Sequence, residues 1–477
     1  MMFASRPHRR AVMVAGAAGL AFSGLARVAN ARSQVAGASA VESYLNEVEG
    51  YGPLVRDPRG LLDLPEGFTY RVVSQGGETM DDGLLVPGQF DGMGCFPLEG
   101  SRVALVRNHE LNSRNTHKHW GPAGYNQERI EGIDASKAYD TYKDGRPLPG
   151  GTTTVVYDTV TGETIRQHLS LIGTSTNCCG GQTPWGSWLT CEETEITPVD
   201  GDVTREHGYV FEVPASADGL VQAVPLKAMG RFDHEAVAID PRTGIVYLTE
   251  DKVDGLLYRF IPKVRDHLVE GGRLQAMAFK DAPGADSSNH DARIWSLGDW
   301  REVEWVDLDD VESPNNDLRL RGHAAGAVRV ARGEGAVFGE GELFITATSG
   351  GPLKRGQILR YRPSPDENEA GESAEPGSVQ LFVESADERV FNMGDNLAVA
   401  PWGDLIVCED NYSADLFNHV KGVAPDGKVY TLARNVFRGN GEFCGVVFSP
   451  DGGTMFVNIQ FPGITYAIQG PWERIRA

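Results

Sequence analysis

The chain has 477 residues, 41% apolar, 23% charged and 9% aromatic, a globular composition that excludes disorder, collagen and coiled coil. Lys and Arg number 44 against 66 Asp and Glu, a formal charge of −22; such a surface repels phosphate backbones and anionic lipids, which excludes nucleic acid and a peripheral membrane role. With 58 glycines and 26 prolines, many short elements fit better than a few long helices.

The first element is a leader. Arg9-Arg10 precede AVMVAGAAGLAFSGLA, which carries no charge, and Ala29-Asn30-Ala31 fits a small-residue cleavage site. Residues 1–31 therefore read as a signal peptide, and the paired arginines predict the twin-arginine export machinery as a partner. The apolar run is too short to span a membrane comfortably. A single domain over 32–477 is expected, periplasmic or extracellular, free of the membrane after cleavage and monomeric. Cys95, Cys178, Cys179, Cys191, Cys408 and Cys444 follow the leader, with no C-x-x-C pair among them. Disulfides are permitted there, but zinc-ribbon and thioredoxin-like readings fail.

Beyond the leader a repeat runs along the chain. Six segments read as a turn, an apolar strand and a polar end: PLEGSRVALVRNHE (97–110), PWGSWLTCEE (184–193), DPRTGIVYLTED (240–251), FGEGELFITATS (338–349), PWGDLIVCED (401–410) and SPDGGTMFVNIQ (449–460). A second short strand precedes each, which makes six hairpins. Helical periodicity is scarce and is expected only over 43–48 or 127–140. Six two-strand units with further outer strands predict an all-β, six-bladed β-propeller with long inter-strand loop insertions. A pair of β-sandwiches is the competing arrangement. Each repeat holds roughly 74 residues, above the forty-odd of simple propeller repeats. The surplus is assigned to 111–150, 261–330 and 362–390, the last being an acidic, solvated loop.

Polar residues recur at one place in every unit. The upstream strands begin with Asp91, Cys178, Glu235, Glu334, Asp395-Asn396 and Glu442; the paired strands end with Glu110, Glu193, Glu250-Asp251, Thr348, Glu409-Asp410 and Asn458-Gln460. Separations of about fifteen residues set the start of one strand beside the end of its partner. In a propeller this predicts a ring of carboxylates, one thiol and amides at one end of the central channel. Carboxylates so crowded must titrate abnormally or hold cations. Oxygen ligands favour Ca²⁺ or Mg²⁺, whereas Cys178 as thiolate favours a softer transition metal. Strand alternation turns His109 and His234 away from Glu110 and Glu235. Arg332 shares a face with Glu334 and fits a clamp for phosphate or carboxylate. Trp185 and Trp188 are expected to pack between blades.

Several long motifs resemble the PhoX-type alkaline phosphatases: NCCGGQTPWGSWLTCEE (177–193), GRFDHEAVAIDPRTGIVYLTED (230–251), RGEG (332–335), DNLAVAPWGDLIVCED (395–410) and EFCGVVFSPDGGTMFVNIQFPG (442–463). The resemblance implies a propeller holding Fe³⁺ and Ca²⁺ that hydrolyses small phosphate esters. It implies Cys178, Glu193, Glu235 and Glu334 as metal ligands and Arg332 as the residue on the substrate phosphate. Asp395, Asn396 and Asp410 fall in motifs near the calcium side, and Asn108 with Glu110 in the N-H-E segment. Three departures stand out: Cys179 replaces a small residue, Gly333 stands where proline is common, and Ser170 lies where a phosphate-binding lysine is expected. A metal-bound propeller without phosphatase activity, serving as a binding module, and a Ca²⁺-dependent lactonase-type hydrolase are the alternatives.

Overall fold

The computed structural model describes residues 42–112, 121–412, 417–437 and 441–476, so the leader expected over 1–31 lies outside the described residues. Ser43–Ala477 forms one compact unit. It is all-β and propeller-like, built on six antiparallel hairpins: β1 (Phe90–Pro97) with β2 (Arg102–His109), β3 (Asn177–Gln182) with β4 (Ser187–Glu192), β5 (His234–Ile239) with β6 (Val246–Glu250), β7 (Gly333–Gly339) with β8 (Glu342–Ala347), β9 (Gly394–Val399) with β10 (Leu405–Glu409), and β11 (Phe443–Phe448) with β12 (Met455–Ile459).

Turn chemistry sets the hairpins. Between β3 and β4, Pro184 presets one turn position and Gly186 takes φ 85°, closing Gly186 N–H onto the Thr183 carbonyl. The same Pro-Trp-Gly sequence closes β9 onto β10, with Gly403 N–H on the Ala400 carbonyl. Each hairpin also carries one register shift near the start of its first strand: after Phe90, Asn177, His234, Gly333, Gly394 and Cys444. Irregularities of this kind bend a strand and re-aim its side chains.

The first strands converge. β1 packs on β3, β3 on β5, β5 on β7, β7 on β9, β9 on β11, and β11 returns to β1. Backbones come close enough that a Cβ on Gly181 would collide with the Val237 carbonyl, and one on Gly445, at φ 61°, would lie 2.5 Å from the Asp91 carbonyl. Glycine is the residue that tolerates both demands.

Among the described residues the hydrogen-bonded sheets number five, where six separate blades were expected. The cause lies outside the hairpins. Trp300–Asp307 pairs at Trp300, Arg301 and Glu302 with Ser378–Glu384, which joins two four- to five-stranded sheets into one of nine strands. The surplus sequence is thus partly structured: 261–330 supplies strands Gly272–Phe279 and Trp300–Asp307 and the α-helix Leu318–Ala324. No helix forms over 43–48, and 127–140 holds only the short 3-10 turns Ile130–Gly132 and Ala135–Lys137. At the termini, Thr69–Gln75 pairs with Ile464–Gln469 to complete the sheet of β11 and β12.

The apolar core is divided among the sheet interfaces. Ile406, Tyr430, Val457 and Tyr466 fill one gap and Leu105, Val155, Tyr157 and Phe456 the next, all buried. The rim of the ring is left to polar groups.

Candidate metal centre

In ladder register, Phe90, Asn177, His234, Gly333, Gly394 and Phe443 face His109, Glu192, Glu250, Ala347, Glu409 and Ile459. The residues that follow them on the first strands are Asp91, Cys178, Glu235, Glu334, Asp395 and Cys444. Those that follow on the partner strands are Glu110, Glu193, Asp251, Thr348, Asp410 and Gln460. Six hairpins therefore deliver twelve polar side chains to one register. Cys444, not Glu442, is the sixth first-strand position, so a second thiol joins the set.

Three groups of donor atoms lie within 4.8 Å of one another: Cys178, Glu193 and Glu235; Glu235, Glu334 and Asp395; and Asp91, Glu442 and Cys444. Neighbouring groups are linked. Glu235 belongs to two of them, and the Cys178 thiol lies 3.6 Å from Asp91 Oδ2. Burial, and then mutual repulsion, push the carboxyls of Asp91, Glu193, Glu235, Glu334, Asp395 and Glu442 well above the usual carboxylate range. Burial and the adjacent carboxylates also raise the Cys178 thiol. Arg332 meets this field through Nη2, 2.6 Å from Glu334 Oε1, and is held by Asp251 at 2.8 and 2.9 Å. Its Nη1 carries no hydrogen bond among the described residues, and the side chain is 20% exposed.

The donors fit cations. Glu235 is fully buried, and neither of its carboxylate oxygens has a hydrogen-bond partner. A buried oxygen pair left so costs several kcal/mol unless something positive meets it, on the order of 1–3 kcal/mol or more per unsatisfied group. Asp, Glu and Cys donors in linked groups suit a cluster mixing hard and softer ions.

Not every sequence-predicted residue reaches this cluster. The Asn108 amide donates to the carbonyls of Cys178 (2.9 Å) and Cys179 (2.6 Å), while its Oδ1 accepts from Trp188 Nε1 (2.8 Å). It clamps the thiol-bearing backbone, with both its amide protons and its oxygen engaged by protein partners. Asn396 likewise donates to Asp395 Oδ1 at 2.8 Å and accepts Gly445 N–H at 2.6 Å, which makes it an orienter of Asp395. Glu110 reaches the rim, bonded by Gln460 Nε2 at 2.6 Å, and Asp410 sits beside Glu442. Ser170 is buried against Thr152 Oγ1. Cys179 lines a cavity of about 320 Å³ of mixed polarity together with Gln182, Trp188, Val237 and Asn396; burial and then the nearby Asp395 and Asp91 raise its thiol. His109 and His234 bond the Gly88 and Gly230 carbonyls, as alternation predicts.

The acidic pairs at the strand ends divide their work. Glu193, Asp251 and Asp410 continue into the ring register, whereas Glu192, Glu250 and Glu409 turn outward and anchor backbone. Glu192 accepts Ser175, Gly208 and Tyr209 N–H; Glu250 accepts Leu256 N–H and Tyr258 O–H; Glu409 accepts Asn392 and His419 N–H. Asp91, Asp251 and Gln460 recur in the sequence pattern without being singled out as site residues, and Cys444 lies outside that pattern. The ladder register counted back from each hairpin turn was the missing signal, because it sets Cys444 level with Asp395.

Fold and site together define a propeller-like protein with a cation-binding rim. The chain belongs to the alkaline phosphatase PhoX family, whose sequence model, described as Alkaline phosphatase PhoX, matches residues 49–463. Membership makes it a metal-dependent phosphatase, a phosphoric monoester hydrolase. Among solved structures it is similar to Pseudomonas fluorescens PhoX in complex with vanadate, a transition state analogue, with TM-score 0.64 and 18% identity over 90% of this chain and 97% of that one. A gluconolactonase, XC5397 from Xanthomonas campestris, aligns at TM-score 0.40 and 14% identity over 90% of this chain and 100% of that one. A search of the curated proteins found no match.

Proposed function

We propose that the protein is exported through its twin-arginine leader, acts as a monomer in the periplasm or outside the cell, and hydrolyses small phosphate monoesters at an iron and calcium cluster. In this reading the fold is a six-bladed propeller whose nine-stranded sheet is two blades joined at their outer edges; the cyclic packing of β1, β3, β5, β7, β9 and β11 supports that count. Cys178, Glu193, Glu235, Glu334 and Asp395 would hold the ions, with Asp410, Glu110, Asp91 and Glu442 beside them. When bound, the ions supply positive charge that polarises the phosphoryl oxygens and favours an oxygen nucleophile.

The chain's own residues do the rest. Asp251 fixes the Arg332 guanidinium through Nε and Nη2, which leaves Nη1 to donate to a phosphoryl oxygen. Asn396 and Asn108 hold Asp395 and the Cys178 backbone in place, so the donors need no rearrangement when the substrate enters. The single observation that carries the reading is the pair of partnerless oxygens on fully buried Glu235. The test is elemental analysis of the folded, exported protein alongside hydrolysis of an aryl phosphate in calcium-containing buffer. Iron plus calcium with cleavage is expected. Calcium alone without cleavage would sink the reading and favour a binding module.

A further inference from the structure

Behind the ligands lies a buried histidine whose two ring nitrogens both meet carboxylates. His207 Nδ1 is 2.6 Å from Glu192 Oε1 and its Nε2 is 3.1 Å from Asp140 Oδ2, and all three side chains are fully buried. Ionised carboxylates only accept hydrogen bonds. Two such contacts therefore require both nitrogens to carry protons.

Each carboxylate is in turn tied to backbone. Asp140, on the long insertion before β3, accepts the N–H groups of Thr141, Thr204 and Arg205 and the Thr204 hydroxyl. Glu192 Oε1 accepts Ser175 N–H at 3.0 Å, and its Oε2 accepts Gly208 N–H at 2.9 Å. Ser175 and Thr176 lead directly into Asn177 and Cys178, and Glu193 N–H donates to the Thr176 carbonyl at 2.9 Å. One imidazolium thus joins the insertion to the two short segments that present Cys178 and Glu193. The other groups facing it are the Tyr139 ring, edge-on at 5.2 Å, with Arg205 over that ring and Tyr209 beyond it.

We propose that His207, held as an imidazolium between Glu192 and Asp140, is a positioning residue that locks the backbone carrying Cys178 and Glu193, and that its deprotonation sets the alkaline limb of the reaction. Loss of one proton leaves two carboxylates competing for a single N–H. The segment before Cys178 or the insertion is then released. The two carboxylates hold the imidazolium to about pH 9 against burial, which works in the opposite direction, while Asp140 is kept ionised down to about 2. The inference rests on the phosphatase reading, but its first test does not.

Histidine-labelled full-length protein, with the His207 signal assigned by its loss in His207→Gln, reports the ring protonation by NMR. Both nitrogens protonated at pH 7.5 and titrating near 9 is the expected result; a neutral ring at pH 7.5 overturns the proposal. Asp140→Asn removes one of the two charges and should move that midpoint down by roughly 1–3 pH units. The midpoints for aryl phosphate hydrolysis and for metal retention by elemental analysis should move with it. Unchanged midpoints for both would refute the positioning role. Should His207→Gln not fold, Asp140→Asn alone still decides the matter. A wild-type protein that retains its metals and its imidazolium yet cleaves nothing would remove the phosphatase reading and leave metal retention as the deciding readout.

Discussion

Cys178 and Cys179 are neighbours with different surroundings. The first lies with Glu193 and Glu235 in one donor group, and the second lines the neighbouring cavity and belongs to none of the three donor groups. Cys178→Ala is expected to abolish iron uptake and Cys179→Ala to preserve it; equal loss in both, read by elemental analysis, would refute the assignment. Arg332 gives a complementary test. Its guanidinium is no metal ligand, so Arg332→Ala should keep the metals and slow aryl phosphate hydrolysis by about a hundredfold, a few kcal/mol of transition-state stabilisation. Glu334→Ala should lose metal and activity together. The thiol, Glu193, Glu235, Glu334 and Asp395 were all legible in the sequence, because their spacing repeats. Asn108 and Asn396, expected as ligands, have protein partners on both oxygen and nitrogen, and no sequence pattern reveals those partners, because an amide can either bind a cation or hold a neighbour.

At the scale of elements, the acidic segment 362–390 shows where composition misleads. It reads as solvated loop, yet Glu367 is 4% exposed and accepts from the Tyr247 and Tyr361 hydroxyls and from buried Arg259. Arg259 also grips Glu372, and Gln275 accepts from its Nε at 2.7 Å. One buried guanidinium therefore latches the segment onto the blade interface, against a Trp305 ring 4.6 Å away. No local pattern reveals this, since Arg259 lies more than a hundred residues before its partners. Arg259→Met should leave Glu367 buried without its countercharge and lower stability by about 3–5 kcal/mol. Chemical denaturation reads the loss, and adding Glu367→Gln should restore part of it. An unchanged midpoint for the single variant would show that the tyrosines alone suffice.

For the molecule as a whole, the rim is a store of repulsion that cations relieve. Its carboxyls titrate above their ordinary values of 3.8 and 4.5 in the folded protein. The folded state therefore binds protons more tightly than the unfolded one, and stability falls as pH rises from about 4 through the raised values. Metal-free protein is expected to melt at progressively lower temperature between pH 5 and pH 9. Metal-loaded protein should fall much less over the same range, because the ions meet the ionised form. Parallel melting curves for the two forms would contradict the rim as a cation site. The all-β, propeller-like architecture was legible from turn residues and strand length. The union of two sheets was not, because it depends on three residues pairing across nearly eighty positions of chain.

The pairing of Thr69–Gln75 with Ile464–Gln469 has a consequence for how the protein comes into being. A ribosome makes the first strand long before its partner exists, and everything between must emerge while that edge waits unpaired. An open strand edge invites the wrong neighbour, and contacts so distant in sequence form late. The ring is therefore finished only once Ile464–Gln469 has been made. Until then the newborn polypeptide depends on something else to keep its exposed edge from other chains.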